Sequence, residues 1–217
     1  MEKEMIRARS PQQKQERLME IMMITDKMFS TTSYHEITLT TIAKALSWSR
    51  GNLYKYVNTK EEIFLELYLV KQAAFMAELQ QSCPLISCPI RTLAYKISQC
   101  FEHHRAYLRY HNILSSIIET NVSVEKLANF KKQSYAQRQY FFDLLTLHCP
   151  DLSPKEIKQL FLTFLYHGCG LDNHTHVTSV LKEAMALAQL EFTLDDFSEL
   201  FTNFITMCLE HYPQSSK

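Results

Sequence analysis

Arg50, Asn52, Tyr54, Lys55, Tyr56 and Lys60 crowd hydrogen-bond donors into one short stretch. Arginine pairs well with the edge of a guanine, while lysine and hydroxyl groups reach phosphate oxygens, so the chemistry on offer is recognition of nucleic acid. Such donors are useful only if a rigid element holds them together on its outer side. The segment LTTIAKALSWSRGNLYKYVNTK, Leu39 to Lys60, is patterned to supply that element as two short helices joined by a tight turn. Thr38 is placed to cap the first, its hydroxyl taking one of the backbone donors that a helix start leaves unpaired. Ile42, Ala43 and Leu46 then form one narrow apolar edge. Ser47-Trp48-Ser49 interrupts the pattern, and Ser49 can cap a second helix from Arg50. That helix turns Leu53 and Val57 inward, leaves Arg50, Asn52, Lys55 and Tyr56 elsewhere on its surface, and has Tyr54 near the edge. A short donor-rich helix braced by another is what the DNA major groove admits. Spacing alone fits an ordinary helical hairpin with a solvated face equally well.

The same residues resemble the N-terminal DNA-binding domain of the tetracycline-repressor (TetR) family. Its pattern runs through threonine, Ile-Ala, alanine-glycine-valine-serine, a basic residue, glycine, threonine, leucine, tyrosine, an aromatic and a lysine. Here it is met by Thr38, Thr40, Ile42-Ala43, Ser49-Arg50-Gly51-Asn52-Leu53-Tyr54, Tyr56 and Lys60-Glu61-Glu62. The match covers roughly the first third of the chain. Ser33 and Ser47 stand where the family usually has glycine, and Thr25 where it usually has alanine. A serine driven to positive φ costs free energy, so the turns are expected to differ in detail. The resemblance implies a DNA contact set of Thr38, Thr40, Arg50, Gly51, Asn52, Tyr54, Lys55, Tyr56 and Lys60. In that set Arg50 reads a base, with Thr40, Gly51 and Asn52 shaping the same surface. Thr38, Tyr54, Tyr56 and Lys60 serve phosphates, and Lys55 fits either group.

Composition agrees with a helical protein: three glycines and six prolines in 217 residues are too few for the many turns of an all-β fold. The formal net charge is zero but unevenly spread. Residues 1–60 hold ten Lys/Arg against six Asp/Glu, and residues 61–217 hold thirteen against seventeen. The positive excess therefore lies with the donor-rich stretch, as attraction to phosphate requires. The N-terminal MEKEMIRARS is charged with no apolar run behind it, and no segment approaches eighteen unbroken apolar residues, so the expectation is a cytoplasmic protein without a membrane span. Cys83, Cys88, Cys100, Cys149, Cys169 and Cys208 make no C-x-x-C pair and read as reduced thiols. No glycine-rich phosphate loop, G-x-S-x-G, H-E-x-x-H or paired carboxylates point to an enzyme, and no cofactor or metal is expected.

Residues 1–9 form a mixed-charge tail whose Arg7 and Arg9 suit a DNA backbone or minor groove. Ser10-Pro11 then opens a helix to about Ser30, with Leu18, Ile21, Met22, Thr25, Met28 and Phe29 on one face. Thr59-Lys60-Glu61-Glu62 reads as a capping box starting a long helix to about Gln81, with Ile63, Leu67, Val70 and Ala74 inward. Lys60 sits at a helix start where a cation is disfavoured and an arriving phosphate is favoured. This helix joins the two parts and is the natural lever between them. Two prolines between Ser82 and Pro89 mark the clearest break in the chain.

From Ile90 an apolar stripe runs through Leu93, Ala94, Ile97, Phe101, His104, Leu108 and His111, in one helix or in two broken near Glu102 to Arg105. His104 and His111 read as core or ligand-contacting histidines, since seven residues of helix, about 10.5 Å, separate them too far to share an ion. His174-Thr175-His176 reads as a capping or surface pair. Ser123 to Cys149 reads as one helix whose Ser134 and Gln137 face a core and need partners from ligand or water, or lie at its edge. Ser153-Pro154-Lys155-Glu156 caps a helix that is apolar nearly all round from Leu160 to Leu171. A shorter helix follows near Val180 to Leu190, and Thr193-Leu194-Asp195-Asp196 starts the last, which carries Phe197, Phe201, Phe204 and Cys208 on one side. Two such apolar helices fit either a buried core or a homodimer through a four-helix interface. The resemblance favours the dimer.

The expected architecture is therefore all-α: a three-helix DNA-binding domain over 1–60 and a larger helical effector-binding and dimerisation domain over 61–217. The expected partners are a palindromic double-stranded operator and a second copy of the chain. The third is a small hydrophobic effector held by Phe101, His104, Tyr107, His111, Gln137, Tyr140, Phe141, Tyr166 and His167, with Arg105, Arg109 and Arg138 nearby. The function implied is repression relieved by the effector. A ligand-independent DNA-binding or partner-recruiting protein of the same fold is the alternative.

Overall fold

Most of the capping residues read from the sequence stand where helices begin. The computed structural model describes residues 11–175, 179–191 and 195–211. Its helices are α1 Pro11–Phe29, α2 Leu39–Ala45, α3 Arg50–Leu53, α4 Lys60–Ser82, α5 Ile90–His103, α6 Arg105–Ile113, α7 Val124–Gln137, α8 Gln139–His148, α9 Pro154–Thr175, α10 Ser179–Leu187 and α11 Phe197–His211. A π-helical turn at Leu114–Ile118 and a 3₁₀ turn at Glu119–Asn121 precede α7. No strand occurs among the described residues, so the chain is all-α. The Arg7/Arg9 tail, the Ser10 cap, His176 and the Thr193-Leu194 helix start lie outside the described residues. Among the described residues no helix is long and apolar enough to cross a membrane.

The chain divides into two compact units, Met1–Leu69 with Leu114–Phe130, and Val70–Ile113 with Lys131–Lys217. In the first, α1 buries Ile21 and Thr25. The Thr25 hydroxyl donates back to the Ile21 carbonyl at 2.8 Å, so threonine is accommodated there with its polar group paired. Phe29 and Tyr34 stand edge-on to Phe64, both at 5.1 Å, and Tyr68 meets Phe130 at 5.3 Å. Thr59 accepts the Glu62 N–H at 3.3 Å, as a capping box requires, but the glutamate does not reach back to Thr59. Its carboxylate instead accepts the Asn58 N–H at 3.2 Å and pairs with Lys126 at 2.9 Å.

The expected inward stripe of α4 is only half right. Ile63 and Leu67 are buried, whereas Val70 and Ala74 are exposed and burial passes to Gln72, Phe75, Met76 and Leu79. One stripe, Phe64, Tyr68, Gln72, Phe75 and Leu79, stays buried along the whole helix, and the flank carrying Ile63 and Leu67 is covered only as far as Leu69.

In the second unit α5 and α11 pack along their lengths, with Phe101 on Phe201 at 5.2 Å and Ser98 donating to the Ser198 carbonyl at 2.9 Å. On α9, a Cβ at Gly168 would stand 3.2 Å from the Phe201 ring and 3.4 Å from Leu108. The missing side chain is what admits that ring. The segment read as one helix from Ser123 to Cys149 is two, divided at Arg138. The polar Ser134 facing the core has a protein partner: its hydroxyl donates to Gln72 Oε1 at 2.8 Å and its carbonyl accepts Gln72 Nε2 at 2.7 Å. Neither water nor ligand is needed to satisfy it.

The Ile90 stripe breaks at His104, which leaves helical geometry at φ −112°, ψ 36°. No proline or glycine makes the break. Glu78 of α4 grips both histidines there, one carboxylate oxygen 2.7 Å from His103 Nδ1 and the other 2.8 Å from His104 Nε2. The hydrogen bond that His103 donates to Glu78 raises the His103 pKa. Burial alone would raise the Glu78 carboxyl, but the bonds from His103 and His104 outweigh it and hold the carboxyl below its usual range. The raised histidine contributes stability that is full below its unfolded value, about 6.5, and is lost as pH rises through the folded value. The depressed carboxyl contributes stability above its unfolded value, lost as pH falls through the folded one. The melting-temperature advantage of the natural protein over Glu78→Gln should therefore be larger near pH 6 than near pH 8. An equal advantage at both would remove the charged pair as the staple.

Candidate nucleic-acid interface

The donor-rich stretch is built by one reciprocal cap and one single cap. Thr38 accepts the Thr41 N–H at 3.1 Å while the Thr41 hydroxyl accepts the Thr38 N–H at 2.9 Å, starting α2. Ser49 accepts the Asn52 N–H at 3.2 Å, starting α3. Ile42, Ala43, Leu53 and Val57 are buried beneath. Above them Thr38, Thr40, Arg50, Gly51, Tyr54 and Lys55 are exposed, and Asn52, Tyr56 and Lys60 are partly buried. An added Cβ at Gly51 would meet nothing within 4 Å, so the α3 surface is open there. Arg50 donates to the Tyr54 hydroxyl at 3.2 Å, and Lys55 donates to Asn52 Oδ1 at 3.4 Å. The donors are thus pre-aligned in i,i+4 and i,i+3 pairs that run from α3 into the turn after it, Arg50 to Tyr54 and Asn52 to Lys55.

Lys60 is held differently from the others. Its Nζ donates to the carbonyls of Tyr34 and Ile37, both at 2.7 Å, and lies 3.7 Å from the centre of the Tyr34 ring. Partial burial lowers the ammonium's pKa. The Tyr34 hydroxyl donates in turn to Glu61, and burial followed by that bond raises the phenol. Two of the three ammonium protons therefore clamp the connection leading into α2, leaving one for a phosphate. Sequence reasoning did not single out Tyr34, and named Glu61 only as part of the Lys60-Glu61-Glu62 run. The only available sign was the carboxylate beside Lys60, which says nothing of a tyrosine 27 residues earlier.

The nine residues read as effector contacts fall into several groups rather than one. Phe101, Tyr107 and Phe141 are fully buried around Phe75, whose ring lies 4.4, 5.3 and 6.2 Å from theirs and 6.1 Å from His104. His111 stacks on Tyr166 at 5.9 Å, and burial, then Arg138 and Lys131, push its pKa down to about 4, so it is neutral at pH 7. His167 stacks on Phe204 at 3.5 Å. The Tyr140 hydroxyl donates to the Cys83 carbonyl at 2.8 Å, and Gln137 keeps a buried Oε1 with no hydrogen bond.

Residues 70–211 match the family described as tetracyclin repressor-like, C-terminal domain. The chain belongs to the TetR family. Members are transcriptional regulators rather than enzymes. The fold resembles that of the fatty acid degradation regulator FadR from Bacillus halodurans, at 14% identity and a TM-score of 0.57, covering 94% of this chain and 96% of that one. It also resembles a TetR/AcrR-family regulator from Thermobifida fusca, at 14% identity and a TM-score of 0.52, covering 89% of this chain and 96% of that one. No curated protein matches the chain.

Membership makes one departure from the TetR pattern measurable. Ser47, standing where TetR proteins usually carry glycine, has φ 58°, in the left-handed region. Ser33, the other such serine, is not among the positive-φ residues. A side chain in this region costs about 1 kcal/mol. Ser47→Gly is accordingly expected to raise the denaturant midpoint of the TetR-like first unit, followed through the fluorescence of Trp48, the chain's one tryptophan. A lowered midpoint would mean that the serine side chain itself stabilises the turn.

Proposed function

We propose that the chain is a homodimeric, sequence-specific DNA-binding regulator, a repressor released from a palindromic operator by a small hydrophobic effector. Residues 1–60 bind DNA and residues 61–217 dimerise and receive the effector. The observation that carries this reading is the Ser49-capped α3, with Leu53 buried beneath it and Arg50, Tyr54 and Lys55 exposed. Arg50 heads that helix and reads a guanine edge in each half-site. Thr40, Gly51 and Asn52 shape the contact, Thr38, Tyr54, Tyr56 and Lys60 hold phosphates, and Lys55 serves either. Two such helices must meet successive major grooves about 34–36 Å apart, which calls for a dimer. Tyr166 on α9 and Leu200 and Met207 on α11 are exposed apolar side chains on the last two long helices, and support pairing through them.

Arg50→Ala should cost about 1–3 kcal/mol in operator affinity and relax base preference at one position per half-site. Selection of binding sites from random DNA with both proteins provides the measurement. An unaltered motif and affinity would mean that α3 does not read bases.

The effector acts by population shift, binding a conformer unfit for the operator more tightly than the fit one. Because the rings around Phe75 fill the interior they share, an effector entering there must prefer a more open arrangement. The same packing favours a second reading, a regulator that needs no ligand. A thermal-shift series with apolar compounds, paired with operator binding, separates the two. Stabilisation that grows with compound concentration and is matched by operator release supports the effector. No compound doing both supports the ligand-independent regulator.

A further inference from the structure

Cys88 and His148 form a thiol–imidazole pair that regulation by DNA and effector does not use. Cys88 lies on the connection after α4, two residues before α5, and His148 is the last residue of α8. The imidazole Nδ1 is 3.0 Å from the Leu144 carbonyl, which can only accept, so Nδ1 carries the proton and Nε2 presents its lone pair. That lone pair is shared between the Cys88 N–H, at 3.3 Å, and Cys88 Sγ, at 3.6 Å, so the backbone contact must loosen for Nε2 to take the thiol proton. A nucleophile within reach of a base, the base oriented by a third group, is the arrangement of an activated thiol.

The other thiols lack this setting. Cys83, Cys100 and Cys169 are buried, and burial pushes the half-buried Cys149 and Cys208 thiols up. Cys88 is partly exposed, and exposed apolar side chains flank the pair along the chain: Leu85 and Ile86 on the same connection as Cys88, and Leu147 next to His148.

We propose that Cys88 is a modification site for small apolar carbon electrophiles of the α,β-unsaturated carbonyl class, with His148 as its base. The Sγ proton passes to Nε2 and the sulfur lone pair forms a C–S bond at the β-carbon. The C=C π pair shifts towards the carbonyl as an enolate, and the proton returns from Nε2 to the α-carbon. Nothing is oxidised or reduced, and the imidazolium formed on the way keeps its Nδ1–H on Leu144.

The test treats the full chain with limiting N-ethylmaleimide and follows all six cysteines by peptide mass spectrometry, native and unfolded in urea. Cys88 should react faster in the native protein than in the unfolded one, and the other five more slowly. His148→Gln should slow native Cys88 about tenfold or more, with Cys149 as the internal control. Native Cys88 reacting no faster than unfolded Cys88, or a folded His148→Gln protein retaining the full rate, would overturn the proposal. Should that variant lose its helical circular dichroism, the native-to-unfolded ratio in the natural protein decides alone.

Discussion

Lys60→Ala is expected to lower the stability of the first unit by about 3 kcal/mol and to weaken binding to every DNA sequence. The estimate follows from two charge-assisted hydrogen bonds, worth about 1.5–3 kcal/mol each, discounted because water can reach part of the vacated site. The carbonyls left behind belong to Tyr34 and Ile37, which are both buried, so water replaces the ammonium incompletely. Ile37 immediately precedes the Thr38 cap of α2, so loosening the clamp loosens the element that braces α3. Urea unfolding followed at Trp48 measures the first effect, and the salt dependence of DNA binding measures the second. A pure phosphate contact would instead leave the urea midpoint unchanged and flatten the salt slope by about one unit. The clamp is refuted by that second pattern. Lys60→Met, which keeps the stem over the Tyr34 ring but removes the donors, should lose nearly as much stability as Lys60→Ala if the hydrogen bonds dominate.

Phe75→Ala should be costlier still, about 3–5 kcal/mol, as for other fully buried phenylalanines cut to alanine. Phe75 stacks on Tyr107 at an interplanar angle of 25° and touches Phe101, Phe141 and His104 as well. Those neighbours are themselves held, Phe101 by Phe201 and Phe141 by Phe161, so they cannot readily collapse into the space. Thermal unfolding by circular dichroism measures the loss, since the tryptophan lies in the other unit. The variant also bears on the effector. A cavity lined by Phe101, Tyr107 and Phe141 should take up a benzene-sized molecule and regain melting temperature with its concentration. A loss below about 1 kcal/mol would show that the rings are not tightly packed. A full loss without rescue would mean that the cluster closes when opened and offers no ligand site.

Local chemistry was legible in the chain itself. Thr38, Ser49 and Ser153 act within three residues of their own positions, so a hydroxyl before an apolar run was enough to place three helix starts. The inward positions of Ile42, Ala43 and Leu53 followed from helical spacing, because the two short helices each have one buried side; Val57 is buried too, but beyond the end of α3 at Leu53. The all-α class and the family followed from the same stretch. Where partners come from afar, spacing was silent. Ser134 looked like a core defect until Gln72, 62 residues away, supplied both hydrogen bonds. Nothing local marked the break at His104, whose histidines are gathered by a carboxylate on α4. The same holds for Lys60, which read as a cation awaiting phosphate and is engaged by two carbonyls more than twenty residues earlier. Periodicity also could not show that the flank of α4 carrying Ile63 and Leu67 is uncovered at Val70 and Ala74, since a helix repeats every 3.6 residues whatever it faces. Backbone caps and apolar spacing are properties of neighbours in sequence. Which polar group answers another across the fold depends on how whole helices pack, and only the tertiary structure decides that.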